Sequence, residues 1–330
     1  MGTWFYGRDD RTTQTTVGIS FHHRVQLCYI ARPVMIQHAI EKAAVLIDAM
    51  PYIQEFRGDI VVVKFGGSIL EDEEQYLDIL RDIAFMEIIG LRPVVVHGGG
   101  KAISRNMEKA GIEPNFLNGL RVTDADTIAI VEKTLNQEVN VRVCQALESF
   151  QAESTGLHGQ DLFKVVKHTE PDPESGSLLD WGFVGDVVSV DTAPILEAVK
   201  SNRVPVVTPL GSDGEGNIYN INADVAAGAM ARQLHARKLV FLSDVPGILR
   251  DPDDPESLIS SVTMKDVERL IDEGVIAGGM LPKVGGAIQA LKAGIKKTHF
   301  IDASLPHSLL LELFTREGVG TEIISGEDTT

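Results

Sequence analysis

Two valine runs, each stopping on glycines, restrict this chain more than any other feature. Val61-Val62-Val63-Lys64 leads into Phe65-Gly66-Gly67-Ser68, and Val94-Val95-Val96-His97 leads into Gly98-Gly99-Gly100. Consecutive β-branched residues without polar alternation mark strands buried on both faces, as in parallel sheets covered by helices. The pattern recurs: 59–64, 93–97, 204–208, 238–243 and 297–302 are short apolar runs that stop at Gly, Pro or Asp. Between them, helical periodicity falls at 73–90, 101–110, 123–148, 192–201, 224–234, 263–274 and 280–293. This alternation predicts an α/β fold, a three-layer αβα sandwich with an open, mainly parallel central sheet. The less regular stretch 154–190 is expected to form a β-hairpin layer beside the sheet.

Residues 1–34 show neither periodicity and are expected to be an unassigned, disordered tail or an upstream extension with Met35 as the natural start; a targeting or partner-binding arm is the alternative. No apolar core of the size of a secretory signal occurs there. From 35 to 57 the spacing of Ile40, Ala43, Ala44, Ile47 and Met50 predicts an amphipathic helix, which Pro51 should kink or end. Lying outside the strand–helix alternation, that helix must bury its apolar stripe on the body, 58–330, or on a neighbouring subunit.

The formal net charge of −17 over 330 residues argues against nucleic-acid binding, because a phosphate backbone meets a repulsive mean field. An anionic substrate must then be met by local positive groups. No apolar run reaches the roughly 18 residues that cross a bilayer. Cys28 and Cys144 are the only cysteines and have no metal-ligand spacing, so a reducing, cytoplasmic setting is expected.

In open α/β sheets ligands gather beyond the carboxyl ends of the strands. There, Gly66-Gly67 and Gly98-Gly99-Gly100 let backbone N–H groups approach an anion, and Lys64 supplies a charge that is costly to leave unpaired at a strand end. Neither loop matches the Walker or dinucleotide fingerprints. His97 reads as a buried, hydrogen-bonded histidine in preference to a ligand or base. Arg121, in Asn118-Gly119-Leu120-Arg121-Val122-Thr123, can fork onto a carboxylate or pair with Asp124 or Asp126. The segment 211–224 reads as a hairpin entering a helix, with Asn222 or Asp224 as cap. Lys283, in the first turn of a helix opened by Gly278-Gly279, stands against the helix dipole and calls for an anion beside it.

In this order and spacing, KFGGS, VHGGGKAIS, NGLRVT, SDGEGNIYNINAD, LSDVPGIL and GGMLPKV resemble the acetylglutamate kinases of the amino-acid kinase family, over about 59–323. The resemblance implies the amino-acid kinase fold, an acceptor-binding N-terminal half and an ATP-binding C-terminal half. It implies phosphoryl transfer from ATP with Mg²⁺ to N-acetyl-L-glutamate in arginine biosynthesis, with no protein-built metal site. Lys64 and Lys283 then hold the transferring phosphoryl group, with Gly66, Gly67 and Gly99 giving backbone N–H contacts. Asp224 orients both lysines, Ser243 and Asp244 belong to the nucleotide pocket, and Gly99, Gly100, Arg121 and Asn220 bind the acceptor. The Gly156–Leu162 segment departs from the family pattern and leaves its own role open.

A second resemblance, to the arginine-inhibited members, rests on the entry helix and on His307, Glu312, Gly318 and Gly320. It implies L-arginine as inhibitor, a homohexamer built as a trimer of dimers through the helix, and possible contact with a PII-type signal protein. Three other readings stay open: a related kinase for aspartate, glutamate, carbamate or UMP; a non-catalytic arginine sensor; and the kinase-like part of an acetylglutamate synthase, which the end of the chain at Thr330 disfavours.

Overall fold

The structure is a computed structural model that describes residues 21–171, 176–278, 280–292, 294–315 and 318–326; the side chains of 21–35, 38 and 282 fall outside it. The chain divides into two compact units, Met1–Pro51 and Tyr52–Thr330. Fourteen strands are described. They are β1 (Ile60–Phe65), β2 (Arg92–His97), β3 (Phe116–Leu117), β4 (Leu120–Arg121), β5 (Ser154–Leu157), β6 (Phe163–Pro171) and β7 (Leu178–Val190), followed by β8 (Val204–Val207), β9 (Leu210–Ser212), β10 (Ile218–Asn220), β11 (Lys238–Ser243), β12 (Ser261–Thr263), β13 (Lys297–Asp302) and β14 (Thr321–Ile324). The α-helices are α1 (Phe21–Phe56), α2 (Glu73–Ile88), α3 (Gly100–Lys109), α4 (Ala125–Lys133) and α5 (Asn140–Ser149), then α6 (Ala193–Lys200), α7 (Ala223–Gln233), α8 (Met264–Asp272), α9 (Met280–Lys292) and α10 (Ser308–Phe314).

Eight strands form one open sheet in the order β12-β14-β13-β11-β1-β2-β8-β5, parallel except for the β13–β14 pair. The valine runs sit at its centre: β1 pairs with β2 on one side and β11 on the other. Their alternate residues feed two cores. Val62, Val94, Val96 and Phe241 pack with α7 and α9, whereas Val61, Val63, Val95 and Leu242 pack with α2, α5 and α10. Helices therefore cover both faces, as the unbroken apolar strands require.

The 154–190 stretch does contain a hairpin layer. β6 and β7 pair antiparallel and close with β9 and β10 into a small four-stranded ring. Helix starts follow local chemistry. Asp72 caps α2 by accepting from the Glu74 and Gln75 N–H groups, and Thr263 and Asp266 form a reciprocal capping box on α8.

Two helices differ from the sequence expectation. α1 begins at Phe21, well inside the segment read as tail, and runs through Pro51 without ending there. No glycine interrupts 21–56, although Pro33 and Pro51 both lie inside that span. Residues 1–20 of the expected tail lie outside the described residues. The single helix expected over 123–148 is divided by a π-helical turn, Thr134–Val139, between α4 and α5.

Candidate active site

The loops after β1 and β2 lie against each other. A Cβ on Gly66 would sit 3.0 Å from the Gly98 Cα, and the Gly98 N–H donates to the Phe65 carbonyl at 2.7 Å. Gly67 has φ +64°, a conformation that glycine adopts without strain. The π turn supports the second loop from behind: a side chain on Gly99 would run into Leu135 at 2.6 Å.

His97 is fully buried at the end of β2. Its Nδ1–H donates to the Gly98 carbonyl at 2.9 Å, and its Nε2 accepts from the Asn140 amide at 3.2 Å, the same amide that donates to the Val206 carbonyl. Burial pushes its pKa down to about 4, so it stays neutral. It is the structural histidine that the sequence favoured.

Two chambers open on these loops. One, of about 250 Å³, is lined by Gly98, Gly99, Gly100, Arg121 and Asn220 among others; the second, of about 210 Å³, is lined by Ser68, Ser243, Asp244 and Lys283. Lys64, Gly66, Gly67 and Asp224 line both, so a group held at that wall faces into each chamber.

Arg121 is buried without a carboxylate partner among the described residues. Its Nη2 donates to the Gly100 carbonyl and the Ser104 hydroxyl, both at 2.9 Å, and its guanidinium lies over the Phe116 ring at 4.6 Å. Burial pulls its pKa below the usual value. Asp124, one carboxylate expected as an alternative partner, instead caps α4 at the Thr127 N–H. A desolvated guanidinium facing a cavity lacks an anion. Asn222 is the cap of α7, which leaves Asp224 in the first helical turn with its carboxylate free for Lys64.

The lysines are paired separately. Lys64 Nζ lies 2.7 Å from Asp224 Oδ1, and Lys283 Nζ lies 3.0 Å from Asp244 Oδ1. The expectation that Asp224 aims both lysines is therefore corrected: it holds Lys64, and the strand-end Asp244 holds Lys283. The hydrogen bond from Lys283 keeps the Asp244 carboxyl below the usual carboxylate range. Ser68 Oγ also donates to Asp244, at 3.4 Å, and so joins the first glycine loop to the second lysine. Gly279, beside Lys283 in the sequence motif, lies outside the described residues.

The C-terminal constellation is regrouped as well. Glu312 is buried; its Oε2 accepts from the Val319 and Gly320 N–H groups at 2.8 and 3.2 Å, and a Cβ on Gly318 would lie 2.7 Å from the same oxygen. The histidine that meets Glu312 is His299 on β13, whose Nδ1 lies 2.6 Å from Oε1. Burial drives the Glu312 pKa up, but His299 and the backbone donors hold it below its ordinary value. His307 turns elsewhere, onto Asp82 of α2 at 2.7 Å. His299 went unnoticed because it sits inside an apolar strand, and only its pairing with a residue thirteen positions on marks it out.

In the departing segment, Gly159 N–H donates to Thr208 Oγ1 at 2.8 Å, and Thr208 Oγ1 donates to Asn136 at 3.0 Å. That segment ties β8 to the π turn.

A deeply paired lysine between two glycine-floored chambers, one with a buried arginine, defines a site where two anions can meet. Residues 59–302 match the model of the amino acid kinase family. The acetylglutamate kinase of Akkermansia muciniphila is 46% identical over 290 residues, covering 88% of this chain and 97% of its own; that of Symbiobacterium thermophilum is 44% identical over 88% and 100%. Among solved structures, the N-acetylglutamate synthase of Neisseria gonorrhoeae, complexed with coenzyme A and N-acetyl-glutamate, is 26% identical with a TM-score of 0.74; the match covers 86% of this chain but 63% of the synthase. A carbamate kinase from Giardia lamblia bound to AMP-PNP, 18% identical with a TM-score of 0.55 over 81% and 98%, shares the fold. The chain belongs to the amino acid kinase family and, within it, groups with the acetylglutamate kinases.

Proposed function

We propose that this protein transfers the γ-phosphate of ATP to the side-chain carboxylate of N-acetyl-L-glutamate, giving ADP and N-acetyl-L-glutamyl 5-phosphate for arginine biosynthesis in the cytoplasm. The observation that carries the reading is the wall shared by the two chambers, where Lys64 and Asp224 face both. The acceptor occupies the chamber of Arg121, Asn220, Gly99 and Gly100, with Arg121 forking onto the carboxylate that does not react. The nucleotide occupies the chamber of Ser243, Asp244 and Lys283.

No general base is needed, because a carboxylate is already ionised at neutral pH. The barrier is repulsion between two anions. Lys64 at the shared wall, Lys283 at the nucleotide side and the Gly66 and Gly67 N–H groups stabilise charge on the transferring phosphoryl oxygens. Mg²⁺ bound with the nucleotide supplies further charge neutralisation. The donor set fits a metal carried by phosphate and water, since Asp224 and Asp244 are each engaged by a lysine.

An ADP-release assay against N-acetyl-L-glutamate, L-glutamate, L-aspartate and carbamate tests the reading. N-acetyl-L-glutamate should be turned over far faster than the others; equal rates with free glutamate refute it.

A second reading concerns regulation. Glu312, buried and engaged by His299 and by the backbone N–H groups after Gly318, fixes the Gly318–Gly320 turn against α10, where a cationic amino acid such as arginine would bind. Exposed Ile36, Ile40, Ile47 and Met50 on α1 supply an apolar stripe for joining dimers into a hexamer. Phe56 is part of the core, so the truncation that tests this stops at Pro51. Removal of residues 1–51 should reduce the assembly to dimers and abolish arginine inhibition while catalysis persists; an unchanged hexamer with unchanged inhibition refutes it.

A further inference from the structure

We propose that a cavity at the opposite end of the sheet, walled by Arg57, Arg92 and Arg203, binds a small organic or inorganic oxyanion, a compound carrying carboxylate or phosphate groups. The cavity measures about 290 Å³ and shares no residue with the two chambers above. It lies where strands begin: Arg92 opens β2, Arg203 immediately precedes β8, and Arg57 precedes β1.

Three guanidiniums line one cavity, Arg57 and Arg203 exposed and Arg92 half-buried, and in a chain of net charge −17 a neighbouring carboxylate is the expected partner of each. That partner is largely missing. Arg57 has no hydrogen-bond or ion-pair partner among the described residues. Arg92 donates through Nη1 to the Val199 carbonyl at 2.9 Å, closing the last turn of α6, and pairs with no carboxylate among the described residues. Arg203 donates to the Ser154 carbonyl at 2.8 Å and to Thr155 Oγ1 at 2.9 Å; its one carboxylate neighbour, Glu153, is 3.7 Å away.

Glu87 also lines the cavity but forms no ion pair with any of the three. Burial and the nearby Glu153 raise its pKa, the opposite of what a paired arginine would do. Glu87 is therefore not the internal counter-ion. Guanidinium N–H groups left over after backbone capping match the forked geometry of carboxylate and phosphate. The volume is at the lower end of small-molecule sites, which fits a di- or tricarboxylate or a phosphate monoester.

The test is calorimetric titration of the full chain at low ionic strength with the nucleotide chamber filled by ADP, using citrate and inorganic phosphate in separate arms to distinguish carboxylate from phosphate chemistry. At least one anion should saturate with a Kd near or below about 1 mM. Arg57→Gln, an exposed position whose change leaves the fold intact, should weaken binding about tenfold, and Arg57→Gln with Arg203→Gln should abolish it. Arg121→Ala, which disables the acceptor chamber, should leave the titration unchanged. Absence of saturable binding by either anion, wild-type affinity in the double variant, or loss of binding in Arg121→Ala would each overturn the proposal. The Arg121→Ala arm also separates this inference from the kinase reading, since only the latter depends on the acceptor chamber.

Discussion

Lys64 and Asp224 meet at 2.7 Å with 17% and 14% of their side chains exposed, whereas Lys283 and Asp244 meet at 3.0 Å with 29% and 62% exposed. Both pairs line the nucleotide chamber, yet water reaches them unequally. The sheltered pair rises from a central strand and the first turn of α7, so its geometry is fixed by the sheet. The second joins the end of β11 to α9 and is open to solvent, where an ion pair is screened and contributes little by itself. Lys64 is thus aimed before any ligand arrives, and Lys283 can exchange its aspartate for phosphate at small cost.

The largest effects that sharpen this contrast come from the lysines. Lys64→Ala and Lys283→Ala should each lower kcat by about a hundredfold or more, as when a transition-state donor is removed, with Lys64 the more severe. Near-normal steady-state kcat in either folded variant would remove that lysine from the phosphoryl clamp.

The aspartates separate the pairs more finely. Asp224→Asn should cost at least about tenfold in kcat, because a sheltered lysine loses its carboxylate partner, while Asp244→Asn should cost less than that and show mainly in the KM for ATP. Equal losses in kcat would break the comparison. The smallest change in rate is expected for Arg121→Ala: the acceptor KM should rise by about tenfold with kcat nearly unchanged, measured at saturating ATP, since the group it holds does not react.

The two glycine loops, their strands and Lys64 were legible in the sequence because a buried parallel strand writes its burial as an unbroken apolar run and its loop follows at once. The β6–β7 hairpin was visible for the opposite reason, an interruption of that rhythm. The strands Ser154–Leu157, Ser261–Thr263 and Thr321–Ile324 were not, being short and partly polar elements at or next to the sheet edges whose pairing is set by distant neighbours. Pairings across the chain were equally hidden: nothing local assigns Lys283 to Asp244, thirty-nine residues away, or separates His299 from His307 as the partner of Glu312. The π turn was missed because it keeps the apolar spacing of the helices on either side.

The contact between Gly66 and Gly98 makes the floors of the two chambers a single mechanical part. A methyl group at Gly66 would sit only 3.0 Å from opposing backbone, which no rotamer change can relieve, so the loops would have to separate. Donor and acceptor pockets would then shift together. Selectivity for either ligand is therefore free to drift at the outer walls, around Asn220 or Ser243, while the seam between the loops tolerates no side chain in any variant that still brings two anions into line.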